Sequence, residues 1–125
     1  MALHIAALLL AMVSASPADR PITAGEFLAR AEPLLKKSNV TLVFSSEARK
    51  LLTILAETAD RNRTRLDSQR AAGKPVATCL PPRGKASVDA RELVAYLKAI
   101  PEAQRGQSFD LAFGGYAARK YPCRG

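Results

Sequence analysis

Glu57, Asp60 and Asp67 are the acids whose spacing comes nearest to a catalytic pair. A glycosidase can work with two carboxylates alone, but helix rise puts Asp60 and Asp67 about 10 Å apart, too far for a retaining pair. Glu57 and Asp60 fall on neighbouring turns. Glu57 also stands four residues before Arg61, and Asp67 four after Arg63, which is the spacing of ordinary helix-surface ion pairs. Transition-metal sites need imidazole, thiolate or clustered carboxylate. The single histidine is His4, and the two cysteines are Cys79 and Cys123. The residue types therefore predict no metal, no cofactor and no enzymatic activity. Gly114-Gly115 lacks the strand, turn and helix context of a phosphate loop. Inside a helical pattern it predicts close packing of a neighbouring element.

The remaining chemistry is charge. The 125 residues carry 19 Lys plus Arg against 11 Asp plus Glu, a formal +8. The densest cluster is Arg61, Arg63, Arg65 and Arg70, and Arg83 and Lys85 follow in a proline- and glycine-bearing stretch. No Phe or Tyr interleaves with this cluster, so single-stranded nucleic acid would find no stacking platform, and nucleic acid is not an expected partner. The cluster is either a solvated helix face or a means of steering toward an acidic protein or an anionic envelope surface.

The compartment follows from the first residues. Residues 2–13 are apolar apart from His4, too short to span a bilayer, and Val13 and Ala15 have the small-residue spacing of a signal peptidase site. A signal peptide over 1–15, cleaved after Ala15, leaves a domain over 16–125 with no stable membrane insertion. Hydrophobic residues at 48% and charged residues at 24% suit one small globular domain. In an oxidising compartment Cys79 and Cys123 should pair, closing a loop of about 45 residues worth roughly 4 kcal/mol in the chain-entropy model.

These features need elements to position them. Thr23 and Glu26 have the spacing of a capping box, and Phe27, Leu28, Ala31, Leu34 and Leu35 form a helical stripe that Pro33 is expected to kink or split. Residues 38–44 include Val40-Thr41-Leu42-Val43-Phe44, read as a short extended connector. From Ser46 a stripe of Ala48, Leu51, Leu52, Leu55, Ala59, Asn62 and Leu66 marks the longest helix, ended by Gly73 and Pro75. Ser87 is expected to cap a helix with Leu93, Val94, Leu97 and Ile100 inward, and Ser108 a last one carrying Phe109, Ala112, Phe113, Tyr116, Ala117 and Tyr121. The predicted fold is all-α, a compact bundle of about four helices with one intramolecular disulfide.

Cys79-Leu80-Pro81, Ser87 opening a helix with Glu92-Leu93-Val94 and Tyr96-Leu97, Pro101-Glu102, and the closing Tyr121-Pro122-Cys123 together resemble the Rap/Tai family of periplasmic immunity proteins. The resemblance covers Cys79 to Cys123. Members commonly carry further cysteines in the first two helices, where this chain has Ala31 and the Ala48 to Leu55 run. The resemblance implies a periplasmic protein that binds and blocks a peptidoglycan amidase delivered by a type VI secretion system, with a homodimer by family analogy. Under that reading Arg83 and Lys85 in the loop after Cys79, with Arg61 and Arg65 on the long helix, complement an acidic cleft. The competing reading is a small, single-disulfide stress chaperone or envelope-binding helical protein.

Overall fold

The computed structural model describes residues 20–124. The leader and its cleavage point lie outside the described residues. Helix α1 (Ala24–Leu35) starts where the Thr23 hydroxyl accepts from the Glu26 N–H, half of the anticipated capping box; the Glu26 carboxylate turns instead to Arg20. Pro33 lies inside α1 near its C-terminal end and does not divide it.

Residues Asn39–Val43 form a short helix, α2, where an extended connector was expected. The cause is local. The Ser38 hydroxyl accepts from the Thr41 N–H at 3.3 Å, and with no strand to pair with, the backbone closes its hydrogen bonds within one turn. Helix α3 (Ser46–Ala71) follows after the Ser45 cap.

Helix α4 (Ala90–Ala99) begins at Asp89, not at Ser87: the Asp89 carboxylate accepts from the Arg91 and Glu92 N–H groups at 2.9 and 3.0 Å. A carboxylate both caps and meets the helix dipole, so it outcompetes the serine two residues earlier. A single 3-10 turn (Glu102–Gln104) leads to α5 (Phe109–Lys120), capped by Ser108, with Tyr121 just beyond its end. The described residues thus form an all-α fold of five helices, the anticipated four plus the one-turn α2.

The core gathers where α1, α4 and α5 meet along α3. Phe109, Leu97 and Leu93 are essentially inaccessible to solvent, and the Phe27 and Phe109 rings stack with centroids 4.0 Å apart. The starts of α1 and α5 are joined by Ala24 N–H to Gln107 O and Phe109 N–H to Ile22 O, both 2.9 Å. The junction is close at Gly25, where a Cβ would stand 3.2 Å from the Arg105 carbonyl oxygen. Gly115 admits the Tyr96 ring against α5; a Cβ at this position would collide with the tyrosine hydroxyl. Of the glycine pair, Gly115 does the close packing expected of both, whereas a Cβ at Gly114 would meet only ordinary contacts with Arg65 and Asn62.

Candidate functional site

The segment between α3 and α4 is held by contacts spread along its length. At its base Cys79 and Cys123 are bonded, flanked by Cys79 N–H to Tyr121 O at 2.8 Å and Cys123 N–H to Ala77 O at 3.0 Å. The Arg70 guanidinium donates to Thr78 O at 2.6 Å and that of Arg63 to Pro81 O at 2.9 Å, so two cations of the long helix, the half-buried Arg63 and the exposed Arg70, hold the loop's backbone. At the tip, Lys85 N–H to Pro82 O closes a turn that requires Gly84 at φ +84°. On the return, the Tyr121 hydroxyl accepts from Ser87 N–H at 3.0 Å, and the Tyr116 hydroxyl accepts from Asp89 N–H at 3.4 Å. The Ser87 hydrogen bond holds the Tyr121 phenol below its ordinary pKa.

Arg83 and Lys85 share this loop, and both are exposed. Arg83 reaches back to Asp60 of α3 at 3.1 Å, whereas Lys85 has no ion-pair partner among the described residues. Asp60, Arg63 and Arg83 border a hollow of about 270 Å³ beneath the loop, floored by Phe113 and Tyr121.

Arg61 and Arg65 belong to another flank of α3, the one that meets α5. Arg61 grips Asp110 through Nε to Oδ2 at 2.8 Å and Nη2 to Oδ1 at 2.9 Å, and also donates to the buried Thr58 hydroxyl at 3.1 Å. The guanidinium's hydrogen bonds hold the Asp110 carboxyl below the ordinary carboxylate range, against a smaller opposing effect of burial. Arg65 donates to the buried Asn62 Oδ1 at 2.9 Å, beside Gly114, and borders an open cleft that also holds Tyr96, Leu111 and Arg119. The four predicted cations therefore form two pairs: Arg83 with Lys85 on the loop, and Arg61 with Arg65 against α5.

The ion pairs expected within α3 are not the ones that form. Arg61 takes Asp110 in place of Glu57, and Asp67 meets Arg70 at 3.8 Å in place of Arg63. A bidentate, partly desolvated partner on another helix is stronger than an exposed pair one turn away. Sequence spacing missed Thr58, Asp110 and the loop-holding roles of Arg63 and Arg70, because Asp110 meets Arg61 from 49 positions away and the other two guanidiniums end on backbone carbonyls that no side-chain pattern marks. Asn62, a polar residue in an otherwise apolar stripe, was the one visible signal of the seam between α3 and α5.

Among the described residues no three of His, Cys, Asp and Glu gather closely enough to hold a metal, and no helix is long and apolar enough to cross a membrane. Comparison with family models, with curated proteins and with solved structures finds no match for this chain.

Proposed function

We propose that this protein is a periplasmic immunity protein that binds a type VI secretion peptidoglycan amidase and inhibits it by occluding the active site. The observation that carries this reading is the pinned basic loop. An inhibitor that acts by occupancy must present a shape it does not have to order on binding. Residues 79–89 are tied at Cys79, Pro81, Ser87 and Asp89, while Arg83 and Lys85 are exposed at the tip. Two cations on a fixed loop speed encounter with an acidic cleft and set its register. The disulfide at the loop's base fits an oxidising compartment. The motif spacing from Cys79 to Cys123 supplies the family to which this shape would belong.

The test is inhibition by the exported protein of the peptidoglycan amidase delivered by the producing cell's own type VI system. Stoichiometric inhibition that Arg83→Glu/Lys85→Glu weakens at least tenfold supports the reading. Full amidase activity in excess protein refutes it.

A further inference from the structure

Among the described residues, four of the five large apolar side chains left in solvent lie on α2, its C-cap and an early turn of α3: Val40 (71% exposed), Val43 (69%), Phe44 (78%) and Leu52 (63%). Helix α2 is amphipathic in the inverse sense, with Leu42 turned to the core and Val40, Val43 and Phe44 turned outward. Val43 and Leu52 also form the mouth of a groove of about 280 Å³ that runs inward past Leu35 and Leu55 to Leu51 and Leu93. Every side chain lining the groove is hydrocarbon.

The charges beside this patch have one sign. Lys36 and Lys37 immediately precede α2, Arg49 and Lys50 follow it on the first turns of α3, and none of the four is ion-paired among the described residues. Between Pro33 and Ala56 the only acid is Glu47, and Arg30 of α1 already holds it at 2.6 Å.

We propose that this face docks on the surface of a bilayer containing anionic lipid, with Val40, Val43 and Phe44 entering the interface and the four cations meeting lipid headgroups. Side chains some 70% exposed protrude, and a protruding apolar tip suits a soft, flat partner. A groove without donors or acceptors serves an acyl chain, which needs none, better than an extended peptide, whose backbone does. A second copy is disfavoured because a two-fold contact here would set the same four cations against themselves. Docking of this kind is peripheral, in keeping with the finding that no helix among the described residues is long and apolar enough to cross a membrane. It involves a different surface from the loop of residues 79–89 and does not depend on the inhibitory role.

The test is sedimentation of the exported protein with vesicles of 30% phosphatidylglycerol in phosphatidylcholine, against pure phosphatidylcholine, with each variant's fold checked by circular dichroism. The expected result is binding to the anionic vesicles at least tenfold tighter than to the neutral ones. Lys36→Gln/Lys37→Gln should weaken it about 30-fold, from roughly 1 kcal/mol per cation at an anionic surface. Val43→Asp/Phe44→Asp should weaken it at least tenfold, while Leu111→Asp, exposed on α5, leaves it unchanged. Equal affinity for both vesicles, wild-type affinity in the α2 variants or no vesicle binding would overturn the proposal. So would a concentration-dependent dimer, abolished by Val43→Asp/Phe44→Asp, in a protein that ignores vesicles.

Discussion

Replacing both cysteines, Cys79→Ser/Cys123→Ser, removes the one covalent tie between the loop and the end of α5 among the described residues. The bridge spans 44 positions. Chain-entropy bookkeeping for a loop of that length gives about 13 cal/mol/K, or about 4 kcal/mol at 25 °C. The 105 described residues unfold with an entropy of roughly 0.22 kcal/mol/K, so the expected fall in Tm is about 18 °C. The native contacts around the bridge, Cys79 N–H to Tyr121 O and Cys123 N–H to Ala77 O, are backbone bonds that serine does not disturb, so the loss should come almost wholly from the unfolded chain. Circular dichroism melts of the oxidised protein, the protein in reductant and the double variant measure it, and the last two should coincide. A fall of less than about 5 °C would contradict the chain-entropy origin of the effect.

Three further perturbations separate the interactions of the fold. Asp89→Ala should cost about 1 kcal/mol by loss of the α4 cap, and Ser87→Ala far less, as read from urea midpoints; the reverse order would restore Ser87 as the cap. Gly114→Ala meets only ordinary contacts at 3.4 and 3.5 Å and should gain up to about 1 kcal/mol of helix propensity, whereas Gly115→Ala displaces Tyr96 and should be the less stable variant, with Tyr96→Phe recovering part of the loss. Equal stability of the two glycine variants would exclude tight packing at Gly115. Asp110, with its folded pKa lowered chiefly by the Arg61 hydrogen bonds, contributes stability that is full above its unfolded pKa and is lost as pH falls through the lower folded value. Wild type should therefore lose more stability than Asp110→Asn between pH 5 and pH 2.5, by about 1 kcal/mol for a pair partly open to solvent; parallel curves would show that the pair contributes nothing.

The fold was legible where a signal acts within one turn. Thr23, Ser108 and the apolar stripes mark helices that form as expected, because a cap or an amphipathic face needs only its own neighbours. Val40 to Phe44 misled because β-branched and aromatic side chains favour strands only when a partner strand exists; without one, the Ser38 cap decided the conformation. The loop was legible at its base, where Cys79 bonds to Cys123, and not along its length. Its restraints run from Arg63, Arg70 and Tyr121 to backbone oxygens and N–H groups, which no side-chain pattern encodes. Arg61 was visible as a cation but its commitment to Asp110, 49 residues away, was not.

The measurement that bears most directly on the inhibitory role is isothermal titration of the exported protein into the peptidoglycan amidase of the same cell's type VI system, with amidase activity followed in parallel. The expected result is a 1:1 stoichiometry of chains, loss of activity at equivalence, and an affinity that falls at least tenfold in Arg83→Glu/Lys85→Glu and with rising salt. Absence of heat together with undiminished hydrolysis of peptidoglycan at several-fold molar excess would contradict it.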